Sequence, residues 1–168
     1  MRTFQIAGLA LVVALLAATG AATASQRAAS TPRANVVQTA VKAGQFTTLV
    51  ALVKRAGLAS ALSGKGQLTV FAPTDRAFAK VPPQTLAALK ANPAKLRAVL
   101  LYHIAKGRLT AAKVARLHRI KTLNGASLRV RVSEGRVFVN SVRVVKANVG
   151  ASNGVIHVIN SVLIPPTA

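Results

Sequence analysis

The sequence of 168 residues contains no cysteine and no tryptophan. Without thiols the chain has no disulfide, no thiolate zinc site, no iron–sulfur cluster and no cysteine nucleophile. Its fold therefore has to be stabilised by an apolar core, for which the 52% of hydrophobic residues provide the material.

Acidic residues are almost as scarce, because Asp75 and Glu134 are the only two in the chain. Glycosidase pairs, aspartic dyads, two-metal sites and calcium sites each need several carboxylates. The composition excludes these kinds of site. Together with the missing thiols, it predicts a protein that is not an enzyme and that has no cofactor.

The three histidines do not form a metal-binding pattern. Three imidazoles could in principle bind zinc, but none of them has the i, i+4 spacing of a metal-binding helix. His103 falls on an apolar helix face and His157 within an apolar run, so both are predicted to lie in the core, whereas His118 lies in a basic stretch. A Ser-His-Asp triad would need Asp75, and the chain has no G-x-S-x-G elbow. We expect no metal and no catalytic residue.

The N-terminus has the pattern of a secretory signal. A short basic start precedes an apolar run at 6–18, and the small residues Ala22 and Ala24 follow. The run is shorter than the roughly 20 apolar residues of a membrane span. We therefore predict a signal peptide at 1–24, cut after Ala24, and a secreted or periplasmic protein with no transmembrane segment after cleavage.

The remaining chain reads as a flexible leader at 25–34 and one domain at 35–166. Apolar residues first recur at helical spacing, for example in helices predicted at 35–44 and 92–107. The last third alternates with a period of two in 127–132 and 136–140, and an apolar run at 154–164 is typical of a buried strand or strand pair. Helices followed by strands predict an α+β fold. The predicted helix caps include Asn35, Thr74, Asn92 and Thr110.

The single aspartate follows Thr74 at a junction between a strand-like and a helix-like run, "LTVFAPTDRAFAK" at 68–80. A Thr or Asp side chain there can accept hydrogen bonds from the free N–H groups of the first helical turn, and a negative charge suits that end of the helix. We therefore predict a structural capping role for Thr74 and Asp75. A direct binding role for the carboxylate is the alternative.

Three segments resemble the fasciclin-like domain family. "LTVFAPTDRAFAK" resembles the first signature box of that family, "LLYHI" at 100–104 its Tyr-His segment, and "ASNGVIHVINSVLIPP" at 151–166 its second box. The resemblance implies a β-wedge of about seven strands packed with several short helices. It also implies a non-enzymatic, extracellular adhesion or matrix-interaction module, here a bacterial secreted single-domain member. Structural motif residues in the second box are Asn153, Gly154 and His157.

The resemblance also points to a candidate adhesion motif. In animal members the Tyr-His pair, here Tyr102 and His103, is linked to integrin-dependent adhesion. The alternative is a structural role for an aromatic residue and a histidine on a packed helix. A second adhesion element of the family, an Asp-Ile pair, falls at Asn148–Val149, where the aspartate is missing.

Positive charge is the most unusual feature of the chain, whose net charge is +21. Removal of the signal takes away only Arg2, which leaves 22 basic and two acidic residues. One dense stretch and one strand face carry much of this charge. Glu134-Gly135 is predicted to form a tight turn between the alternating runs at 127–132 and 136–140, and if the hairpins pair in this way Arg136 and Arg143 add to the same face. The predicted polyanion-binding residues are Lys106, Arg108, Lys113, Arg116, Arg119, Lys121, Arg129 and Arg131.

Such a field attracts polyanions. We expect an acidic polysaccharide or envelope polymer, or a surface protein, as partner; nucleic acid is possible but only without sequence specificity. The alternative functions are a cationic effector that acts on nucleic acid or anionic membranes, and a charge that serves solubility alone. The oligomeric state stays open.

Overall fold

A computed structural model describes residues 34–166, which belong to one compact unit. The predicted signal at 1–24 and all of the predicted leader except Ala34 lie outside the described residues. None of the described helices is both long enough and apolar enough to cross a membrane. The helices are α1 Val36–Ala43, α2 Thr47–Arg55, α3 Ala59–Leu62, α4 Asp75–Ala79, α5 Pro83–Ala91, α6 Pro93–Tyr102 and α7 Ala111–Arg116. The strands are β1 Leu68–Pro73, β2 Ile104–Lys106, β3 Arg119–Lys121, β4 Ser127–Ser133, β5 Arg136–Val139, β6 Val142–Ala151 and β7 Gly154–Ile159.

Two helices begin where their capping residues predict. The Asn35 side chain accepts a hydrogen bond from the Gln38 backbone N–H at 2.9 Å, and the Gln38 side-chain oxygen accepts one from the Asn35 N–H. Gly44 ends α1 in the left-handed region at φ 68°. At the start of α6, Asn92 accepts from two backbone N–H groups of the first turn. The predicted caps Asn35 and Asn92 are confirmed.

The seven strands form one mixed sheet in the order β2-β1-β7-β6-β5-β4-β3. Only β1 and β7 pair in parallel. The edge strands β2 and β3 approach each other, with a bridge between Ala105 and Thr122 and a hydrogen bond of 2.9 Å from the Leu123 N–H to the Ile104 carbonyl. The sheet is thereby nearly closed into a wedge. The predicted α+β class and the seven strands implied by the resemblance are confirmed.

Two apolar cores lie on opposite sides of the central strands β1 and β7. Along β7, Ile156 and Val158 face the helices, where α1 to α6 pack. Ile159 faces the interior of the wedge, and the ring of His157 stacks on Phe71 with a centroid distance of 5.6 Å. Burial on both faces explains why this strand is an almost continuous apolar run.

A close approach between β1 and β7 requires glycine at position 154. Gly154 lies opposite Leu68 in the parallel pair. A Cβ atom at this position would overlap the carbonyl of Leu68. The Asn-Gly pair in the second signature box therefore reflects a packing constraint in the middle of the sheet.

Several predicted elements differ from the structure. The helix predicted to end at Gly107 ends at Tyr102, because Ile104–Lys106 pairs with β1 as a short strand. The run 154–164 is a strand only as far as Ile159. Strand β6 was not predicted, because register shifts at Val144/Lys146 and Lys146/Val149 interrupt its alternation.

Candidate functional site

Asp75 caps a helix other than the one in which it lies. Its carboxylate accepts hydrogen bonds from the Thr47 hydroxyl at 2.6 Å and from the Thr48 N–H at 2.8 Å, both in the first turn of α2. The residue that precedes α2, Phe46, has no side chain that could cap it. In α4 itself, Thr74 accepts from the Ala77 N–H at 3.3 Å. The structure thus places both side chains at helix starts, but the prediction that Asp75 caps its own helix was wrong.

These contacts stabilise the ionised form of Asp75. Partial desolvation alone would raise the pKa of the carboxyl, but the hydrogen bonds from Thr47 and Thr48 together outweigh it and lower the pKa. A carboxylate that accepts three hydrogen bonds from backbone and hydroxyl groups at a helix start is held in its ionised form. The geometry gives the carboxylate a structural task.

Tyr102 lies in the core of the wedge. Its side chain is 2% exposed, and its hydroxyl accepts a hydrogen bond from the Asn140 side chain at 2.5 Å. Asn140 in turn accepts from the Arg129 N–H at 2.8 Å. The hydroxyl thus ties the end of α6 to the hairpins of the sheet.

His103 lies on the other side, against the core beneath the helices, and is 3% exposed. Its Nδ1 is 2.7 Å from the Val99 carbonyl, and its Nε2 accepts from the Leu163 N–H at 2.9 Å. This pair of partners fixes the neutral tautomer with the proton on Nδ1. Burial lowers the pKa of His103 to about 4, against the opposing effect of the Val99 hydrogen bond.

Because Tyr102 and His103 are only 2% and 3% exposed, neither side chain offers a binding surface of its own, and Tyr102 only reaches the floor of one surface concavity. The binding role implied for them is therefore corrected to a structural one. The pair joins the two cores, one residue to each side.

The buried His157 and the exposed Asn148 form a second anchor between the sheet and the segment around α7. The Nε2 of His157 donates to the Leu109 carbonyl at 2.6 Å, and its Nδ1 faces the Asn148 N–H at 3.4 Å. Burial lowers the pKa of His157, against the effect of the Leu109 hydrogen bond. The Asn148 side chain accepts from the Ala111 N–H at 2.8 Å and so caps α7, the role predicted for Thr110, which makes no such bond.

Asn153 connects three elements of the fold. Its side-chain oxygen accepts from the Val36 N–H at 2.9 Å, and its amide group donates to the carbonyls of Leu62 and Gly64. Asn153 therefore holds the start of α1 and the end of α3 against the turn between β6 and β7. Within residues 34–166, no three His, Cys, Asp or Glu side chains come together in a way that could hold a metal ion.

The strongest surface feature lies on the outer side of strands β3 to β6. The cross-strand pairing places Arg119 directly opposite Arg129, and it places Phe138 between Arg131 and Arg143. The inner side of the same strands contributes apolar residues such as Leu128 to the wedge core. We call the outer side the arginine face. Its charged members, all exposed, are Arg119, Lys121, Arg129, Arg131, Arg136 and Arg143.

Almost no negative charge balances this face. Within residues 34–166 the one ion pair joins Arg136 to Glu134 at 3.6 Å, between two well-exposed side chains. The carboxylate of Asp75 is bound to α2 instead. Like charges directly opposite each other across strands are destabilising, so the pair Arg119–Arg129 is unfavourable in the free protein.

Two concavities run along the arginine face, with volumes of about 470 and 600 Å³. Both are lined by Arg129 and Asn140, so they continue into each other. The first extends over Arg119 towards Ile164, and the second extends over Arg131 and Phe138. The result is one shallow groove whose lining is both basic and apolar.

The residues predicted to bind polyanions divide into two groups. Arg119, Lys121, Arg129 and Arg131 lie on the arginine face, where Arg136 and Arg143 join them. Another group is exposed elsewhere, with Lys106 on β2 and Arg108 in the loop that follows it. The remaining two, Lys113 and Arg116, lie on α7. Sequence reasoning missed Phe138 and Asn140. The alternation in "RVFV" could have placed Phe138 on the side of Arg136.

The comparisons with known proteins identify the family. The sequence model of the Fasciclin domain matches residues 44–165. The chain belongs to the fasciclin domain family. This fasciclin domain is 44% identical over 142 residues to Protein sll1483 of Synechocystis sp. The alignment covers 83% of this chain and 78% of that protein. It is 38% identical over 137 residues to transforming growth factor-beta-induced protein ig-h3 of Sus scrofa. That alignment covers 81% of this chain and 20% of the longer protein.

A solved structure shows the same fold. A FAS1 domain pair from the insect cell adhesion molecule fasciclin I matches with a TM-score of 0.64 and 19% identity, over 81% of this chain and 52% of that chain. Fasciclin domains occur in adhesion and extracellular proteins and are known as non-enzymatic adhesion modules. Membership of this family supports a general adhesion-module role.

Proposed function

We propose that this fasciclin domain is an exported, non-catalytic adhesion module that attaches to acidic cell-surface polymers through its arginine face. The observation that carries the proposal is the geometry of that face, where six cations share one side of four strands and a single exposed carboxylate pairs with one of them. Guanidinium groups suit carboxylate, sulfate and phosphate oxygens because they can donate two parallel hydrogen bonds.

Other observations support the non-catalytic part of the proposal. The residue types that carry most acid–base chemistry are committed to the fold, since Asp75, His103 and His157 each contact backbone groups. Export is supported by the N-terminal pattern of a basic start, an apolar run and small residues.

The test is retention of the purified protein on columns that carry acidic glycans. We expect retention at about 150 mM salt and elution only well above it, because each neutralised charge releases counterions. The fourfold variant R119Q/R129Q/R131Q/R143Q is expected to elute much earlier. A matched variant with the same loss of charge away from the face is K54Q/R55Q/K90Q/R97Q, and it should elute close to the wild type. Elution of the wild type at very low salt would contradict the proposal.

The alternative, a cationic effector on nucleic acid or anionic membranes, predicts DNA gel shifts or vesicle leakage at physiological salt. The structure offers little support for membrane insertion, because the longer helices bury their apolar sides in the core, as α2 does with Leu49, Leu52 and Val53. Leakage from anionic vesicles, with no retention on acidic glycans, would favour the alternative.

A further inference from the structure

Phe138 is the one aromatic side chain of residues 34–166 that is not buried. The other four, Phe46, Phe71, Phe78 and Tyr102, are buried in the two cores. Phe138 is half-buried and lies on the outer side of β5, away from Val137 and Val139, which face the wedge core. An aromatic ring at this position presents a flat apolar surface to solvent.

One arginine lies on each side of this ring, on the two neighbouring strands. Arg131 of β4 and Arg143 of β6 are the direct cross-strand partners of Phe138. Adjacent strands are about 4.8 Å apart, so the two guanidinium groups can both reach a ligand that lies on the ring. No carboxylate of residues 34–166 pairs with either of them.

The groove continues from this row to a second pair of cations. Arg129 and Asn140 line both of its halves, and Arg119 lines the far half. From β6 to β3 the face spans three strand spacings, about 14 Å. A ligand that follows the groove would therefore meet positive charge at intervals along its length, with the aromatic ring near one end.

From this arrangement we propose that the arginine face binds a linear polysaccharide whose sugars carry ring carboxylates, a uronate-rich glycan. Phe138 packs against the apolar face of one sugar ring, while Arg131 and Arg143 bind its carboxylate. Arg129 and Arg119 bind carboxylates of the sugars that follow. This inference rests on the proposed function and names the class of ligand and the site.

The same observations argue against nucleic acid as the main occupant. Proteins that bind single strands without sequence preference stack successive bases on several aromatic side chains. Within the described residues only Phe138 exposes its ring appreciably, since Tyr102, which lines the other half of the groove, is 2% exposed. One apolar platform beside closely spaced arginines fits a chain of sugars that each combine an apolar ring face with a carboxylate.

The test measures binding of size-defined oligogalacturonate to the whole protein by calorimetry at about 150 mM salt. We expect R131Q/R143Q to weaken binding by about tenfold or more and to reduce the salt dependence. We expect F138A to weaken it by roughly fivefold to tenfold with the salt dependence unchanged. The control K54Q/R55Q removes the same charge from α2 and is expected to change affinity less than about threefold.

Two further comparisons make the outcome decisive. F138L keeps apolar bulk on the strand but removes the flat ring, so it should bind as weakly as F138A while its unfolding temperature stays near that of the wild type. Methyl-esterified oligogalacturonate keeps the sugar rings but loses the charge, and it should not bind measurably.

Several results would overturn the inference. Equal losses in R131Q/R143Q and K54Q/R55Q would show attraction by net charge alone: binding to acidic polymers would stand, but its assignment to the arginine face and to this site would fail. Tighter binding of single-stranded DNA that also depends on Phe138 would assign the groove to nucleic acid. If the wild type bound no acidic glycan at all, the proposed function would fail together with the site.

Discussion

His103 shows at the residue scale how a buried imidazole can hold two parts of the fold together. It accepts from the Leu163 N–H and donates to the Val99 carbonyl, so both ring nitrogens are used in the neutral form. Protonation would place an N–H of the ring against the N–H of Leu163. The folded state therefore requires the neutral ring.

This requirement predicts a loss of stability in mild acid. The pKa of His103 is about 4 in the folded protein and about 6.5 when unfolded, so the unfolded chain binds the proton more readily. The contribution of the neutral His103 to the free energy of unfolding should be fully present above pH 6.5. The free energy of unfolding should then fall by up to roughly 3 kcal/mol as the pH drops towards 4. Urea unfolding at a series of pH values measures this slope. His157, whose pKa is also lowered, adds to it in the same direction.

The matched variants for this prediction are H103Q and H118Q. H103Q should be less stable than the wild type at pH 7 but should depend less on pH between 6.5 and 4. H118Q changes an exposed histidine and should leave the slope unchanged. A wild-type stability that is the same at pH 7 and pH 4.5 would contradict the prediction.

At the scale of elements, the helices depend on caps that come from distant parts of the chain. Asp75 caps α2 from 28 residues away, and Asn148 caps α7 from 37 residues away. Asn153 contacts the first N–H of α1 across an even longer separation. Each cap also joins its helix to another element, so the helices and the sheet are expected to unfold together.

The cap from Asp75 gives a prediction that can be measured at two pH values. D75A should lower the free energy of unfolding at pH 7 by about 1 to 2 kcal/mol, because the first turn of α2 loses its acceptor. D75N keeps one acceptor oxygen and should lose less. The pKa of Asp75 is lower in the folded state than its ordinary value of 3.8, so its contribution is present above pH 3.8 and disappears as the pH falls through the folded value.

The comparison variant for Asp75 is E134Q, which alters the other carboxylate of the chain. Glu134 lies in an exposed turn, so E134Q should change stability by less than about 0.5 kcal/mol. Chemical denaturation at pH 7 and pH 3 separates the two variants. If D75A and E134Q had the same effect, the cap would have no energetic role.

The sequence predicted those elements that are determined by residues close together in the chain, such as helix caps. Asn35 and Asn92 were recognised as caps because their side chains bond within their own first turns. The cap from Asp75 was assigned to the wrong helix, because only the folded chain brings Thr47 close to it. Likewise Ile104–Lys106 continues a helical pattern in sequence, and it is a strand because β1 offers it a pairing partner.

The candidate site was predictable to a similar extent. Arg129 and Arg131 alternate with Leu128, Val130 and Val132 in the sequence. This alternation alone predicts that both arginines lie on the same side of a strand. The row Arg131–Phe138–Arg143 depends on the register of two hairpins, and each turn sets that register through residues with positive φ, at Glu134 and Asn140. The sequence predicted the turn at Glu134-Gly135, which the pairing of β4 with β5 confirms, but it did not predict the register or the second turn at Asn140.

For the whole molecule, the excess of positive charge is the largest electrostatic feature. Three of the 23 basic residues precede the described part, which leaves 20 against two carboxylates in residues 34–166. Such a net charge repels itself in the compact state. The protein should therefore respond to ionic strength in two opposite ways.

The prediction is that salt stabilises the free protein while it weakens binding to polyanions. Raising sodium chloride from about 10 to 150 mM shortens the Debye length from about 30 to 8 Å. We expect the unfolding temperature to rise by a few degrees, roughly 4 °C for a gain of 1 kcal/mol. Calorimetric scans measure this rise, and R119Q/R129Q should show a smaller one. An unfolding temperature that does not change with salt would count against self-repulsion.

The meeting of β2 and β3 has a consequence for how copies of this domain can associate. Each of these edge strands is three residues long, and they are joined at Ala105 and Thr122. Within residues 34–166, these two edges thus offer few free amides onto which a foreign strand could be added. Copies of the domain should therefore not join through these two edges, and attachment there has to be made through side chains.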